Sequence, residues 1–325
     1  MSTTRRSLLQ EAALAAGAAA LVNTAASAQS ATPSATGEAA WKRFFPAGFR
    51  NERIKTSGAE TNAVIGGSGP AVLMLHGAPQ SLITWRLIAP DLAKDFTLVM
   101  CDLRGYGDSS KPPDGDNHAN YSKRPMAQDG VDVMEHLGYS RFPVVGHDRG
   151  GRVGTRMALD HPDKVLKLVV MDIVPAHYLY SHVTLDFVRA YFHWFNYLRE
   201  APGPENELKA QNEAALARAT NDVQREYLRT SSTIENIHAM CEDYRASASI
   251  DLALDNADFK AGKKIQCPVL ALWAANGAMG KQFDVLSIWK EEGVNVNGKG
   301  LPGNHSLQES APKETLEEIR KFLKA

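Results

Sequence analysis

Short continuous apolar runs at residues 71–75, 96–101, 142–145, 165–171 and 268–273 are each bounded by glycine, proline or a polar turn. Such runs mark strands buried on both faces, as in a parallel sheet. Between them, 85–92 and 126–137 carry apolar residues at helical spacing, so strands alternate with helices that cover both faces. Residues 49–65 instead alternate polar and apolar, which predicts two short antiparallel strands closed by Gly66-Gly67-Ser68-Gly69-Pro70. The alternation of strand and helix stops at Pro175. From there to about residue 262 only helix-period segments follow, at 185–198, 208–217, 223–230 and 234–246, broken by Pro202-Gly203-Pro204. That stretch predicts a helical cap over the sheet. The run at 268–273 resumes the sheet, a weaker strand is expected near 294–299, and 312–323 forms an amphipathic last helix. The pattern divides the chain into a core (46–174 and 263–325) and a cap (175–262).

The N-terminus departs from this pattern. Thr4-Arg5-Arg6-Ser7-Leu8-Leu9-Gln10, a mild alanine-rich apolar run and the small-residue site Ala26-Ser27-Ala28 together look like a twin-arginine signal peptide over 1–28. Cleavage is expected after Ala28, with a periplasmic mature protein. The run is too short and too weakly apolar for a stable membrane span. Residues 29–45, rich in Ala, Ser, Thr and Pro, read as a disordered spacer.

Composition narrows the partners. Lys and Arg total 36 against 37 Asp and Glu, so no basic field points to nucleic acid or an anionic membrane, and a small molecule is the expected partner. Cys101, Cys241 and Cys267 have no metal-ligand spacing and are expected as free thiols; no metal or other cofactor is implied.

The chemistry centres on Val144-Val145-Gly146-His147-Asp148-Arg149-Gly150-Gly151-Arg152. A strand, a one-residue turn and a helix start carry the Gly-x-nucleophile-x-Gly spacing of a nucleophile elbow, whose small flanking residues let one side chain project alone above the sheet. Here that side chain is a carboxylate. Asp can displace a leaving group from an sp³ carbon without prior deprotonation, and the resulting ester must then be cleaved by water. His305, in the loop after the last strand, is the candidate base for that water. The loop after Trp273 has no acid before Asp284, so the orienting carboxylate is assigned to Asp172, at the end of the 165–171 run. The strand ending at His76-Gly77-Ala78-Pro79 brings the Ala78 N–H near the elbow, where it can join the Arg149 N–H against oxyanion charge. The loop 102–109 is assigned to the pocket floor, without catalytic duty.

From about Phe45 to Leu323 the chain resembles the α/β-hydrolases that include the fluoroacetate (haloacetate) dehalogenases, with His147-Asp148-Arg149-Gly150-Gly151-Arg152 as the most specific motif. The resemblance implies an α/β-hydrolase fold: a mainly parallel sheet flanked by helices, with the cap inserted before the last strands. It implies Asp148 as nucleophile and Arg149 and Arg152 as the grip on a substrate carboxylate, a role suited to forked guanidinium groups. Tyr191-Phe192-His193-Trp194-Phe195 and Cys241-Glu242-Asp243-Tyr244-Arg245 resemble the cap motifs that cradle the halide, which assigns His193, Trp194 and Tyr244 to it. The implied reaction is hydrolytic dehalogenation of short 2-haloacids. Homodimers are common in the family and are compatible with this chain.

Two neighbouring families, both disfavoured by Arg149, and one departure, at Ala78, shape the expectation. Haloalkane dehalogenases tend to carry Asn at the Ala78 position and Trp at the Arg149 position, and epoxide hydrolases also tend to have Trp there. Haloacetate dehalogenases usually show a bulky aromatic residue where this chain has Ala78, so a wider pocket open to larger 2-halo acids is expected. The competing readings are an epoxide hydrolase and a non-catalytic periplasmic small-acid binder on the same fold.

Overall fold

In the computed structural model residues 41–325 are described; the expected leader at 1–28 and residues 29–40 of the expected spacer lie outside them. Residues 41–45, expected as the end of that spacer, are instead ordered. Trp41–Arg43 form a 3-10 turn, and Phe45 is buried against the Phe49 ring, with centroids 5.4 Å apart. Large apolar side chains at 41, 44 and 45 have surface to bury, which an Ala/Ser/Thr average conceals.

Eight strands among the described residues form one sheet, in the order β1-β2-β4-β3-β5-β6-β7-β8. The alternating segment gives β1 (Arg50–Lys55) and β2 (Glu60–Gly67), antiparallel to each other, and β2 pairs antiparallel with β4 (Thr97–Cys101). The continuous apolar runs give the parallel part: β3 (Ala71–Leu75), β4, β5 (Phe142–His147), β6 (Val165–Met171), β7 (Val269–Ala274) and β8 (Val296–Leu301). Alternate residues serve two cores. Leu73, Val99, Val144 and Val170 pack on one face, while Met74, Met100, Val145 and Val169 pack on the other. Each such burial stabilises by about 1.5–3 kcal/mol, which holds the strand ends in fixed relation.

Between β6 and β7 the chain is helical. The expected 185–198 helix breaks at Tyr191 (φ −124°, ψ 37°) into Leu185–Ala190 and Phe192–Asn196, and Gly203–Arg218, Asp222–Arg229 and Ile234–Ala248 follow. An additional helix, Ile250–Lys260, follows a break at Ser249. Its pattern was obscured by Asp251, Asp255 and Asp258 on a segment half turned inward. Cys101, Cys241 and Cys267 are free. No helix among the described residues is long and apolar enough to cross a membrane.

This topology positions the site. β5 lies between β3 and β6, so the segments leaving β3 (His76-Gly77-Ala78), β5 (Asp148) and β6 (Asp172) meet at one edge. The turn after β5 tolerates only glycine at its flanks. A Cβ on Gly146 would lie 2.4 Å from the Gly150 carbonyl oxygen, and one on Gly150 would lie 2.3 Å from that of Leu75.

Candidate active site

Asp148 occupies the elbow with φ 47° and ψ −116°, a backbone region that non-glycine residues rarely adopt. Its carboxylate is 5% exposed. Oδ1 accepts a hydrogen bond from the Ala78 N–H at 2.9 Å, and Oδ2 lies 3.7 Å from His305 Nε2. On the far side of the ring, His305 Nδ1 is 2.7 Å from Asp172 Oδ2, and Asp172 Oδ1 accepts from the Ala274 N–H at 2.8 Å. Asp148, His305 and Asp172 thus stand in line. Asp284 is elsewhere, capping the helix Val285–Glu292 through the Ser287 N–H. Arg149 opens the elbow helix Arg149–Asp160, where backbone N–H groups lack intrahelical partners.

His147 positions the histidine loop. Its Nε2 donates to the His305 carbonyl at 2.9 Å, the two rings are 4.8 Å apart, and burial with the neighbouring His305 lowers its pKa to about 4. His76 is structural. It is fully buried, with Nδ1 donating to the Gly77 carbonyl and Nε2 accepting from the Leu103 N–H.

The charges of the dyad reinforce each other. Burial alone would raise the Asp148 carboxyl, but His305, with Arg149 and His147 behind it, outweighs that and holds it well below the ordinary carboxylate range. Burial would likewise lower His305, but its bonds to Asp148 and Asp172 raise it to about 10. Near neutral pH the resting site therefore holds an imidazolium between two carboxylates.

Both arginines of the motif are buried beside the nucleophile. Burial would lower the Arg149 pKa, but Asp243, 3.6 Å from its Nε, holds it above the ordinary value. Its Nη1 donates to Ser247 Oγ at 2.7 Å, and the guanidinium lies 3.5 Å from the Tyr244 ring centroid and 5.0 Å from that of Trp194. Arg152 has no such carboxylate. Burial and repulsion from Arg149 lower its pKa. Nε and Nη2 of Arg149 and Nε and Nη1 of Arg152 have no hydrogen-bond partner among the described residues. Buried charged donors in that condition are costly unless an anion meets them.

Above them the cap brings His193, Trp194 and Tyr244 together. The Tyr244 ring is 6.2 Å from His193 and 5.6 Å from Trp194. Burial lowers His193 to about 4, so it is neutral near pH 7, and burial raises the Tyr244 hydroxyl far above its ordinary range, so it is a proton donor. The cluster can offer N–H and O–H groups to an anion without adding charge.

Several neighbours had no role assigned from the sequence, although Tyr191 and Asp243 fall within the two cap motifs. Asp243 ties together Arg149, Lys123 and Tyr106, whose hydroxyl donates to it at 2.6 Å. The loop 102–109 thereby reaches the pocket through Tyr106. Tyr191 packs 6.4 Å from His305, and the Tyr180 hydroxyl has no partner among the described residues. Lys123, Tyr106 and Asp243 come from segments more than 15 residues apart at their closest, so no local spacing could reveal them.

Comparison with known proteins agrees with this architecture. The family model of the alpha/beta hydrolase fold matches residues 70–304. A fluoroacetate dehalogenase from Burkholderia sp. is 41% identical over 288 residues, covering 85% of this chain and 94% of that protein. A soluble epoxide hydrolase from Corynebacterium sp. (strain C12) is 31% identical, covering 82% and 94%. Among solved structures, an alpha/beta hydrolase from Nostoc sp. PCC 7120 is 46% identical with a TM-score of 0.81, covering 85% of this chain and 98% of that one. With the fold, an aspartate on the elbow and these relatives, the chain belongs to the α/β-hydrolases of haloacetate dehalogenase type, hydrolases acting on carbon–halide bonds.

Proposed function

We propose that the chain hydrolyses short 2-haloacids through an ester on Asp148. The carrying observation is the pair of buried guanidinium groups, Arg149 and Arg152, with unpartnered N–H groups beside an ionised buried carboxylate. A substrate carboxylate answers both needs: it satisfies the forks, and its neutralised charge allows the anionic nucleophile to approach. Asp148 Oδ2 then attacks the α-carbon as the carbon–halogen bond breaks, and the halide leaves toward His193, Trp194 and Tyr244. Oδ1 becomes the ester carbonyl oxygen, already held by the Ala78 N–H. Once the ester has removed the charge of Asp148, His305 gives up its proton to solvent. Neutral Nε2 then takes a proton from water, the hydroxide adds to the ester carbon, and Ala78 with the Arg149 N–H stabilises the oxyanion. Its collapse releases the 2-hydroxy acid, whose leaving alkoxide the imidazolium protonates, and restores Asp148. Asp172 holds the imidazole in position and in charge.

The test is halide release from fluoroacetate, chloroacetate and 2-chloropropionate, with Asp148→Asn alongside. Release by the wild type alone supports the scheme, and turnover of 2-chloropropionate supports a pocket widened at Ala78. Release undiminished in the variant, or none from any substrate, rejects it.

A second reading, epoxide hydrolysis, is favoured by the unpartnered Tyr180 hydroxyl, which could protonate an epoxide oxygen, and by the similarity to the Corynebacterium enzyme. Hydrolysis of styrene oxide, lost in Tyr180→Phe, would support it. For residues 1–28 we propose a twin-arginine export signal. Periplasmic accumulation of a folded reporter carrying them, abolished by Arg5→Lys with Arg6→Lys, tests that reading.

A further inference from the structure

A second cluster of titratable groups lies away from the catalytic dyad, where the cap meets the core. His238 and Glu242 are four residues apart on the helix Ile234–Ala248 and so share one face. Asp114, in the loop before the 3-10 turn Asp116–Tyr121, faces them from the core. His238 Nε2 lies 3.0 and 3.1 Å from the two Asp114 oxygens, and one donor atom each from Asp114, His238 and Glu242 lie within 4.8 Å of one another.

The surroundings are those of a metal ligand set. His238 Nδ1 is 3.1 Å from Glu205 Oε1, so the ring can donate to a carboxylate on one side and present Nε2 on the other. A carboxylate behind the ring fixes the tautomer and orientation of histidine ligands in metal sites. Glu205 is 1% exposed, yet its Oε2 has no partner among the described residues. Arg245 Nη1 donates to both Glu205 and Glu242 at 2.8 Å, while His118 Nδ1 is 2.6 Å from Glu242 Oε2. Arg245 thus serves two of the carboxylates, Glu205 and Glu242, and Asp114 is met by His238 alone among the side-chain bonds of the described residues. An open cleft lined by Asp114, His118, His238 and Glu242 gives solvent access.

We propose that Asp114, His238 and Glu242 bind a divalent transition cation of the zinc type, with Glu205 as the positioning carboxylate behind His238. Imidazole nitrogen with carboxylate oxygen suits such an ion, and three protein ligands leave a fourth position for water. At bond lengths near 2.0–2.2 Å, tetrahedral donors stand about 3.3 Å apart, so Asp114 and His238 are already close to ligand spacing and the three donors, within 4.8 Å of one another, need only a modest adjustment. The ion would tie the helix bearing Asp243 and Tyr244 to the core.

The experiment is Zn²⁺ titration calorimetry on the chelator-treated full protein, with cobalt substitution and thermal melting in parallel. The wild type should bind one Zn²⁺ per chain at micromolar or tighter affinity, give Co²⁺ visible bands of tetrahedral type and melt at a higher temperature with Zn²⁺. Asp114→Asn and His238→Gln should abolish saturable binding, and Glu205→Gln should weaken it by about 10- to 100-fold. Should a variant fold poorly, the cobalt spectrum and melting shift of the wild type still decide. No saturable binding by the wild type, or unchanged binding in well-folded Asp114→Asn and His238→Gln, overturns the proposal.

Discussion

His305 Nε2 stands 3.7 Å from Asp148 Oδ2, so base and nucleophile are also an ion pair. The base is therefore charged in the free protein and must lose its proton before it can activate water. Converting Asp148 to a neutral ester removes one of the two carboxylates that raise His305, so its pKa falls from about 10 when it must accept a proton. Ester formation itself prepares the second step.

The pH dependence follows with a definite sign. Asp148 stays ionised well below its ordinary range, so ester formation measured by rapid quench should be flat across neutral pH. Ester hydrolysis needs neutral His305 and should accelerate as pH rises from 6.5 toward 10, levelling off below 10. A hydrolysis rate that falls with rising pH would contradict this. Stability has the opposite trend for this group. The folded pKa of His305 exceeds its ordinary value, so its contribution is complete below 6.5 and disappears as pH climbs to about 10. The wild type should lose more melting temperature over that interval than His305→Gln.

Separating the two chemical steps identifies the base. His305→Gln should form the ester and fail to cleave it, leaving the Asp148 peptide heavier by the acid fragment in mass spectrometry. Asp172→Asn removes the charge and the acceptor behind the ring and should lower kcat by about 10²–10⁴-fold with the same adduct. Full turnover in either variant removes that residue from the mechanism.

The two arginines should separate function from stability. Arg152 carries a buried charge with no carboxylate partner, so Arg152→Leu should raise KM for a haloacid by roughly 10–100-fold while leaving the melting temperature unchanged or higher. Arg149 supports Asp243 together with Lys123 and Tyr106, and Arg149→Leu should destabilise by about 1–3 kcal/mol as well as weaken binding. Equal melting temperatures for the two variants would show that Asp243 does not depend on Arg149.

Gly77 is the sensitive point of the elbow. A Cβ there would lie 2.5 Å from the Cβ of Asp148. Gly77→Ala should displace the nucleophile and lower kcat by about 10²-fold, with a smaller loss of stability. Unchanged kcat would mean that the turn yields without moving Asp148.

Much of this protein is legible in the order of its residues because its main signals are local. Continuous apolar runs define the buried strands, and Gly146, Asp148 and Gly150 define the elbow, since the turn depends on residues within a few positions of each other. The parallel sheet then brings the strand ends together, and the ordering of Asp148, Asp172 and His305 follows from strand order. What only the tertiary structure decided are the contacts between distant segments. The anchoring of Arg149 by Asp243 and Ser247 and the break at Tyr191 that turns His193 and Trp194 toward Tyr244 depend on cap packing. Local patterning encodes which surface a segment buries. The charge and hydrogen-bond partners of a buried side chain are set by whichever remote residue the fold places within a few ångströms, and no periodicity records that distance.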